Sequence, residues 1–230
     1  MQASEASESV ETAKETGEAD ASAKAPLSGR RAQAARNDQL ILAAARAVFL
    51  ADPEAPIAAV AERANVGISA LYRRYRSKEE LIQRLSLDGL RRFIAEEEKA
   101  LADEGEPWEA FTRFMRRCVE TGTNSLTARF AGAFTPTEET YREGRRASAL
   151  LQQILDRAKA AGVLRTEIVV GDLSLIFEQL QAIHLGDEQR TGQLRLRYLA
   201  LMLDALHNVS GAALPGPPPS WEEIARMYDR

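Results

Sequence analysis

Apolar side chains recur along this chain at the three- and four-residue spacing of α-helices, without the sustained alternation of strands. Ile41, Ala45, Val48 and Phe49 stripe a first helix over 37–50. Ile57, Val60, Ala61 and Ala64 fall at i, i+3, i+4 and i+7, one face of a helix too short to stand alone, so it must dock on something nearby. Asn65 marks the corner that follows, because a sharp helix-to-helix turn needs one residue at positive φ and Asn tolerates it. Val66, Leu71 and Tyr75 then supply the apolar face of a second short helix, and the small Ala61 lets the pair cross at the ~90–120° of a helix-turn-helix. Ser77 with Glu80 forms a capping box opening a fourth, longer helix. From Pro107 the pattern predicts helices over 108–121, 125–134, 137–161, 172–186 and 193–209, with Gly122, Pro136, Gly162, Gly171 and Gly192 as breakers. The expected fold is all-α: an N-terminal three-helix helix-turn-helix unit followed by a C-terminal helical bundle.

The outward side of the second short helix carries Gly67, Ile68, Ser69 and Ala70, then Arg73 and Arg74, with Arg76 just beyond. Small residues at the N-terminal end permit close approach to a major groove, and an arginine further on can pair bidentately with guanine. Arg73 is the leading base reader. A plain solvated basic face is the alternative, which the adjoining turn disfavours.

Charge sharpens this reading once it is partitioned. The chain of 230 residues has a net charge of −4, yet residues 28–80 hold nine Lys or Arg against six Asp or Glu. Screening over about 8–10 Å makes phosphate attraction local, so a basic module on an acidic protein is workable. The excess is modest, and two heads acting together are expected. Residues 1–29 hold two cations and six acids among few apolar side chains, and are expected to be a disordered acidic tail. Arg30, Arg31 and Arg36 follow it, either as an arm able to reach a minor groove or as a solvated linker.

Composition closes off other classes. A hydrophobic content of 45% supports a sizeable core, while no run approaches the ~18 apolar residues of a membrane span, and no basic segment followed by an apolar one opens the chain. A cytoplasmic location with no membrane association is expected. Cys118 is the sole cysteine and His184 and His207 stand apart, so neither a disulfide, a metal site nor a bound cofactor is predicted. No nucleophile-base arrangement, paired carboxylates or phosphate loop speaks for an enzyme.

The segments I-L-A-A-A-R-A-V-F, V-A-E-R-A-N-V, A-L-Y-R-R-Y and S-K-E-E-L, in this order between residues 36 and 95, resemble the tetracycline-repressor-like (TetR/AcrR) regulators. The resemblance implies that Ile68, Ser69 and Arg73 face bases, while Tyr72 and Lys78 contact phosphates of a double-stranded operator. Lys78 also stands beside a helix N-terminus, which favours an anion. Three positions depart from the pattern. Ala55 and Pro56 replace the usual Thr or Ser, removing one phosphate contact, though Pro56 suits a helix first turn. Gly67 replaces a Ser or Thr cap, and Asn65 replaces Gly.

The remainder follows from this resemblance together with composition. The domains are expected at 30–80 for the DNA-binding head and 81–210 for a ligand-binding and dimerisation body, with 211–230 as a Pro-rich linker and a short terminal helix capped by Ser220 and Glu223 and holding Trp221, Ile224 and Met227. Leu173, Ile176, Phe177, Leu180 and Ile183 stripe one late helix, and Leu194, Tyr198, Leu199, Met202, Leu203 and Leu206 the next. The resemblance assigns this pair to a four-helix homodimer interface; burial within one subunit is the alternative. A small-molecule effector would meet candidates among Phe111, Phe114, Met115, Cys118, Phe130, Phe134, Tyr141, Ile154, Phe177, Gln181 and His184, although for each of them core packing is the favoured reading, since an apolar stripe requires no ligand. The polar stretch 121–129 could also face it or form a surface loop. The implied activity is a sequence-specific regulator, by default a repressor released when ligand changes the separation of the two heads. A helical adaptor whose head has lost DNA binding, and more remotely a helical enzyme, are the alternatives.

Overall fold

The computed structural model describes residues 25–122, 134–207, 210–220 and 222–224. Among these, every regular element is a helix: α1 (Ala25–Ala51), α2 (Ile57–Arg63), α3 (Ile68–Arg74), α4 (Lys78–Leu101), α5 (Pro107–Thr121), α6 (Glu138–Ala160), α7 (Val170–Gln181) and α8 (Glu188–His207).

The chain divides into two compact units, up to Leu40 and from Ile41 onward. In the first, α1 starts at Ala25, twelve residues before the expected start at Asn37 and within the segment expected to be a tail. That segment lacks a stripe but not helix formers: Ala and Arg dominate, and Pro26 sits in the first turn where its missing N–H is harmless. Gln33 Nε2 donates to Asn37 Oδ1 at 2.9 Å and Arg36 Nη2 to Gln33 Oε1 at 2.9 Å, the i+4 and i+3 pairs that support a solvated helix. Residues 1–24 of the expected tail lie outside the described residues.

In the second unit, two hydrophobic clusters form. The smaller takes Ile41, Ala45 and Phe49 from α1, Ile57, Val60 and Ala61 from α2, Leu71 of α3 with Tyr75, and Leu81, Ile82 and Leu85 from α4. These are the stripes read from the sequence. The larger is built from α4 to α8, with Phe93, Phe111, Phe114, Met115, Leu155, Phe177 and Leu180 at its centre. Helix α4 serves both, its first two turns packing into the head and its later turns lying along α5 and α6.

The breakers divide. Gly122 ends α5 with φ +55°, and Gly162 follows α6 with φ +71°. Gly171 and Gly192, expected between helices, instead lie inside α7 and α8, at their second and fifth residues. Carboxylates start those helices earlier: Asp172 accepts from Val169 N at 2.8 Å, and Asp187 accepts from Arg190 N at 2.7 Å, after the true break at Gly186 with φ +71°. The helix expected over 125–134 falls almost wholly outside the described residues.

The C-terminal segment returns to the body. Arg165, itself buried, donates to the Ala212 carbonyl and pairs with Glu167 at 2.6 Å. Pro219 lies so close to Gly171 that a Cβ there would sit 2.8 Å from its Cγ, and Ile224 is buried beside them. Ser220 and Glu223 close the expected capping box in both directions, at 2.8 and 3.2 Å, while Trp221 and Met227 lie outside the described residues.

Candidate nucleic-acid interface

The corner between α2 and α3 is a Schellman turn. Asn65 has φ +52°, its N–H donates to Glu62 O at 3.0 Å, and Val66 N donates to Ala61 O at 3.0 Å. Val66 then packs against the head cluster, in which the small Ala61 is buried. Pro56 stands one place earlier than expected, as the residue before α2 with ψ 151°, where its ring meets no helical carbonyl.

Helix α3 is too short to fold alone and is held by Leu71, which is fully buried, and by Tyr75 just past its end. This anchoring fixes its rotation. Ile68 (40% exposed), Ser69, Ala70, Tyr72 (47% exposed), Arg73 and Arg74 all face away from the head core. The surface therefore offers a small, apolar-to-hydroxyl end followed by a phenol and two guanidinium groups. An apolar contact suits a thymine methyl, the hydroxyls suit phosphate or base edges, and a guanidinium suits guanine.

Lys78 is placed differently from the other expected contacts. Its Nζ donates to the Pro53 carbonyl at 3.0 Å and lies 5.3 Å from the centroid of the Phe49 ring, so the ammonium braces the α1–α2 connection against the start of α4. The capping box beside it is offset by one residue. Ser77 Oγ accepts from Glu80 N at 3.1 Å, but the Glu80 carboxylate reaches Arg76 N at 2.7 Å.

The expected effector residues do not assemble as one group. Phe111, Phe114, Met115, Cys118, Ile154 and Phe177 join the larger core, and Gln181 is buried with its carbonyl accepting from Arg195 at 2.9 Å. Tyr141 (55% exposed) and His184 stand on the surface, the latter beside the Arg195 guanidinium. Phe134 packs against the head's cluster rather than the body's, which removes it from the effector set. Phe130 and residues 123–129 lie outside the described residues. A shallow pocket between α4, α5 and α6 is lined by Ala100, Leu101, Pro107, Ala110, Phe111, Ile154, Arg157 and Ala158. Arg157 there serves the helix end, donating to the carbonyls of Ala100 and Leu101 at 3.4 and 3.3 Å and also to Asp103 O.

Head and body are joined at more than α4. Arg46 of α1 donates to the Thr121 carbonyl at the end of α5. Across from it, Gln83 Nε2 donates to Thr135 O at 3.0 Å, Thr135 N donates to Glu79 at 3.4 Å, and Phe134 inserts alongside.

Sequence reasoning passed over the acidic run Glu96–Glu97–Glu98 on α4. Burial alone would raise the Glu96 pKa, but hydrogen bonds and charges from Lys99 at 2.7 Å and Arg117 at 2.8 Å overcome it and hold the group below its ordinary range. Glu98 pairs with Arg146. Glu97 has no solvent exposure, neither oxygen has a hydrogen-bond partner, and burial, with Glu98 adding to it and Arg146 opposing, pushes its pKa up to about 9. The signal was an acid falling three and four residues from apolar α4 positions, in register with Phe93 and Leu90.

Two family profiles match the chain. One, described as bacterial regulatory proteins of the tetR family, covers residues 41–85, and the other, the C-terminal domain of SbtR-like transcriptional regulators, covers 106–208. No curated protein matches it. Among solved structures, a TetR transcription regulatory protein from Mycobacterium vanbaalenii is 26% identical with a TM-score of 0.54, covering 77% of this chain and 98% of its own. The TetR regulator SCO0520 from Streptomyces coelicolor is 27% identical with a TM-score of 0.52, covering 74% and 98%. The regulator LfrR from Mycobacterium smegmatis, solved in complex with proflavine, shares the fold at 18% identity and a TM-score of 0.51, covering 73% and 96%.

Proposed function

Given that the chain belongs to the TetR family of bacterial transcriptional regulators, and so is a DNA-binding transcription factor rather than an enzyme, we propose that it is a homodimeric repressor that a small molecule releases from its operator. The observation that carries the DNA part is the α3 surface: Ile68, Ser69, Tyr72 and Arg73 all point outward from a helix whose rotation is set by buried Leu71 and by the Asn65 turn. In this reading Ile68, Ser69 and Arg73 meet base edges in a major groove and Tyr72 a phosphate. Lys78 supports them from behind, because its ammonium is engaged within the head.

The dimer rests on α8. Of its expected stripe, Leu199, Leu203 and Leu206 are buried in the subunit's own core, whereas Leu194 is half-buried and Tyr198 is 47% exposed; Leu201, outside that stripe, is 56% exposed and continues the Leu194–Tyr198 row at i, i+4 and i+7. The helix thus has a second apolar face, which a two-fold mate would cover while setting two recognition helices about 34–36 Å apart. The small molecule enters the body between α4 and its neighbours. That the relative LfrR holds proflavine supports a body that binds small molecules. The joints at Thr121, Phe134 and Thr135 then carry a body rearrangement to the head, and by linkage operator binding weakens effector binding by the same factor. We place domain limits at 30–80 and 81–210, and the protein in the cytoplasm.

The test is selection from a random duplex library with purified protein, sequencing the bound pool. An enriched near-palindrome with half-sites one helical turn apart is expected. A folded dimer that enriches nothing, before and after refolding to strip any copurified effector, would leave the adaptor reading in its place.

A further inference from the structure

Glu97 is an unusual group to find in a folded core. A buried carboxyl with both oxygens unbonded is strongly unfavourable, and native structures rarely keep one without a use. Its two neighbours in sequence each have their own cations, Lys99 and Arg117 for Glu96 and Arg146 for Glu98, so the chain's nearby positive charge is already distributed. Glu97 alone has no cation bound to it: Arg146, whose charge reaches it, is paired with Glu98.

Its surroundings add a second chemistry. Phe93 lies one turn earlier on the same face of α4, and its ring meets Phe114 at 5.9 Å and Phe177 edge-on at 6.3 Å. Aromatic faces and an unpaired carboxyl attract the same kind of guest, since the ring quadrupole and the carboxylate both favour positive charge. Ser86, whose buried hydroxyl is also unbonded, lies three turns before Glu97 on that face.

We propose that Glu97 is the recognition group of the effector site and that the effector is a lipophilic organic cation, held by the Glu97 carboxylate against the Phe93, Phe114 and Phe177 rings. The proposal rests on the ligand-responsive reading above and names the ligand class for it. In the empty protein Glu97 is the neutral acid, in keeping with its raised pKa. Binding a permanent cation converts it to the carboxylate, and the displaced proton leaves to solvent, so charge inside the body is conserved. Of the charged groups near Glu97, Glu98 on α4 opposes this ionisation and Arg146 on α6 favours it; Arg117 on α5 is bound to Glu96. Seating the guest separates α4 from the core, and α4 is the helix that carries the head.

The experiment is calorimetric titration of the full-length protein with tetraphenylphosphonium and tetrabutylammonium, with uncharged triphenylphosphine oxide for comparison. At least one cation is expected to bind about tenfold more tightly per pH unit between about pH 6.5 and about pH 8.5, with about one proton released in buffers of differing ionisation heat. Glu97→Gln, neutral and isosteric with the acid, should lose at least about tenfold in cation affinity and the pH slope together while leaving the uncharged compound unaffected. Its melting temperature at these pH values should stand at or above the parent's, because the amide carries none of the cost of burying an acid that ionises on unfolding. Equal cation affinity in the two proteins, no proton release, or no cation binding at the higher pH would each overturn the assignment. Release of the selected duplex is read in parallel. Cation binding without release leaves Glu97's role intact and removes the repressor mechanism, whereas release by an uncharged effector alone does the reverse.

Discussion

Replacing Lys78 by Met separates two roles that its position could serve. The substitution keeps most of the aliphatic stem and removes the ammonium, which donates to Pro53 O at 3.0 Å and sits 5.3 Å from the Phe49 centroid. A hydrogen bond from a charged donor contributes about 1.5–3 kcal/mol, and a cation over a ring about 0.5–2 kcal/mol. The side chain is only half-buried, and recovering its hydration offsets part of both. A net loss of about 1–2 kcal/mol is expected, a fall of about 2–8 °C in melting temperature for a chain of this size. Operator affinity measured where both proteins are folded should then change little, and the slope of its logarithm against the logarithm of salt should stay the same. A lysine on phosphate behaves oppositely: each one removed makes that slope shallower by about 0.9, hence by nearly two for a dimer. Unchanged melting with a slope shallower by that amount would refute the brace and restore Lys78 to the DNA surface.

Arg73→Ala should weaken operator binding by about 1–3 kcal/mol and relax preference at one base position per half-site, read from a binding-site selection repeated with the variant. Asn65→Ala, forced to keep φ +52° without a suitable side chain, should lower stability by about 1–2 kcal/mol in urea unfolding, whereas Asn65→Gly should stay close to the parent. Gly171→Ala places a Cβ 2.8 Å from Pro219 Cγ and 3.2 Å from its carbonyl, so the C-terminal segment should lift off, read as faster amide hydrogen exchange at Ile224 than in the parent. Glu97, with a folded pKa of about 9 against about 4.3 unfolded, holds its proton more tightly when folded, so its contribution is complete below the unfolded value and is lost as pH rises toward the folded one. Between about pH 6 and about pH 8 the parent should lose about 2.7 kcal/mol relative to Glu97→Leu, by urea midpoints at the two pH values.

What could be read without coordinates was whatever depends on neighbours in sequence. The α2–α3 corner is local, so Asn65, Ala61 and Val66 took the roles their spacing implied, and the outward set on α3 followed once Leu71 and Tyr75 were recognised as anchors. The start of α1 was misjudged because periodicity locates only helices with an apolar face, and α1 begins in residues that favour helix by propensity alone. Gly171 and Gly192 misled for a related reason: glycine punctuates chains on average, but at these sites a carboxylate one or several residues away had already begun the helix. Phe134 could not be assigned from sequence at all. An aromatic residue between two helices has no face of its own, and only the fold turns it toward the head core rather than the body.

Lys78 and Glu97 stand near opposite ends of α4, and each defeats a rule of thumb that treats charges as solvated. Their positions are linked by one helical register. The turn that points Leu81, Ile82 and Leu85 into the head also brings Lys78 against Phe49, and the same register carried onward puts Ser86, Phe93 and Glu97 on the inner face of the body. A rotation large enough to bring Glu97 to solvent would therefore draw the head-packing residues out of their cluster as well. Axial rotation of α4 as a rigid rod is thus a poor way to accommodate a guest beside Glu97. Translation or tilt is favoured, because it separates α4 from α5 and α6 while keeping Leu81 and Leu85 seated, and its far end would move the head through Arg46, Gln83 and Phe134 without unfolding it.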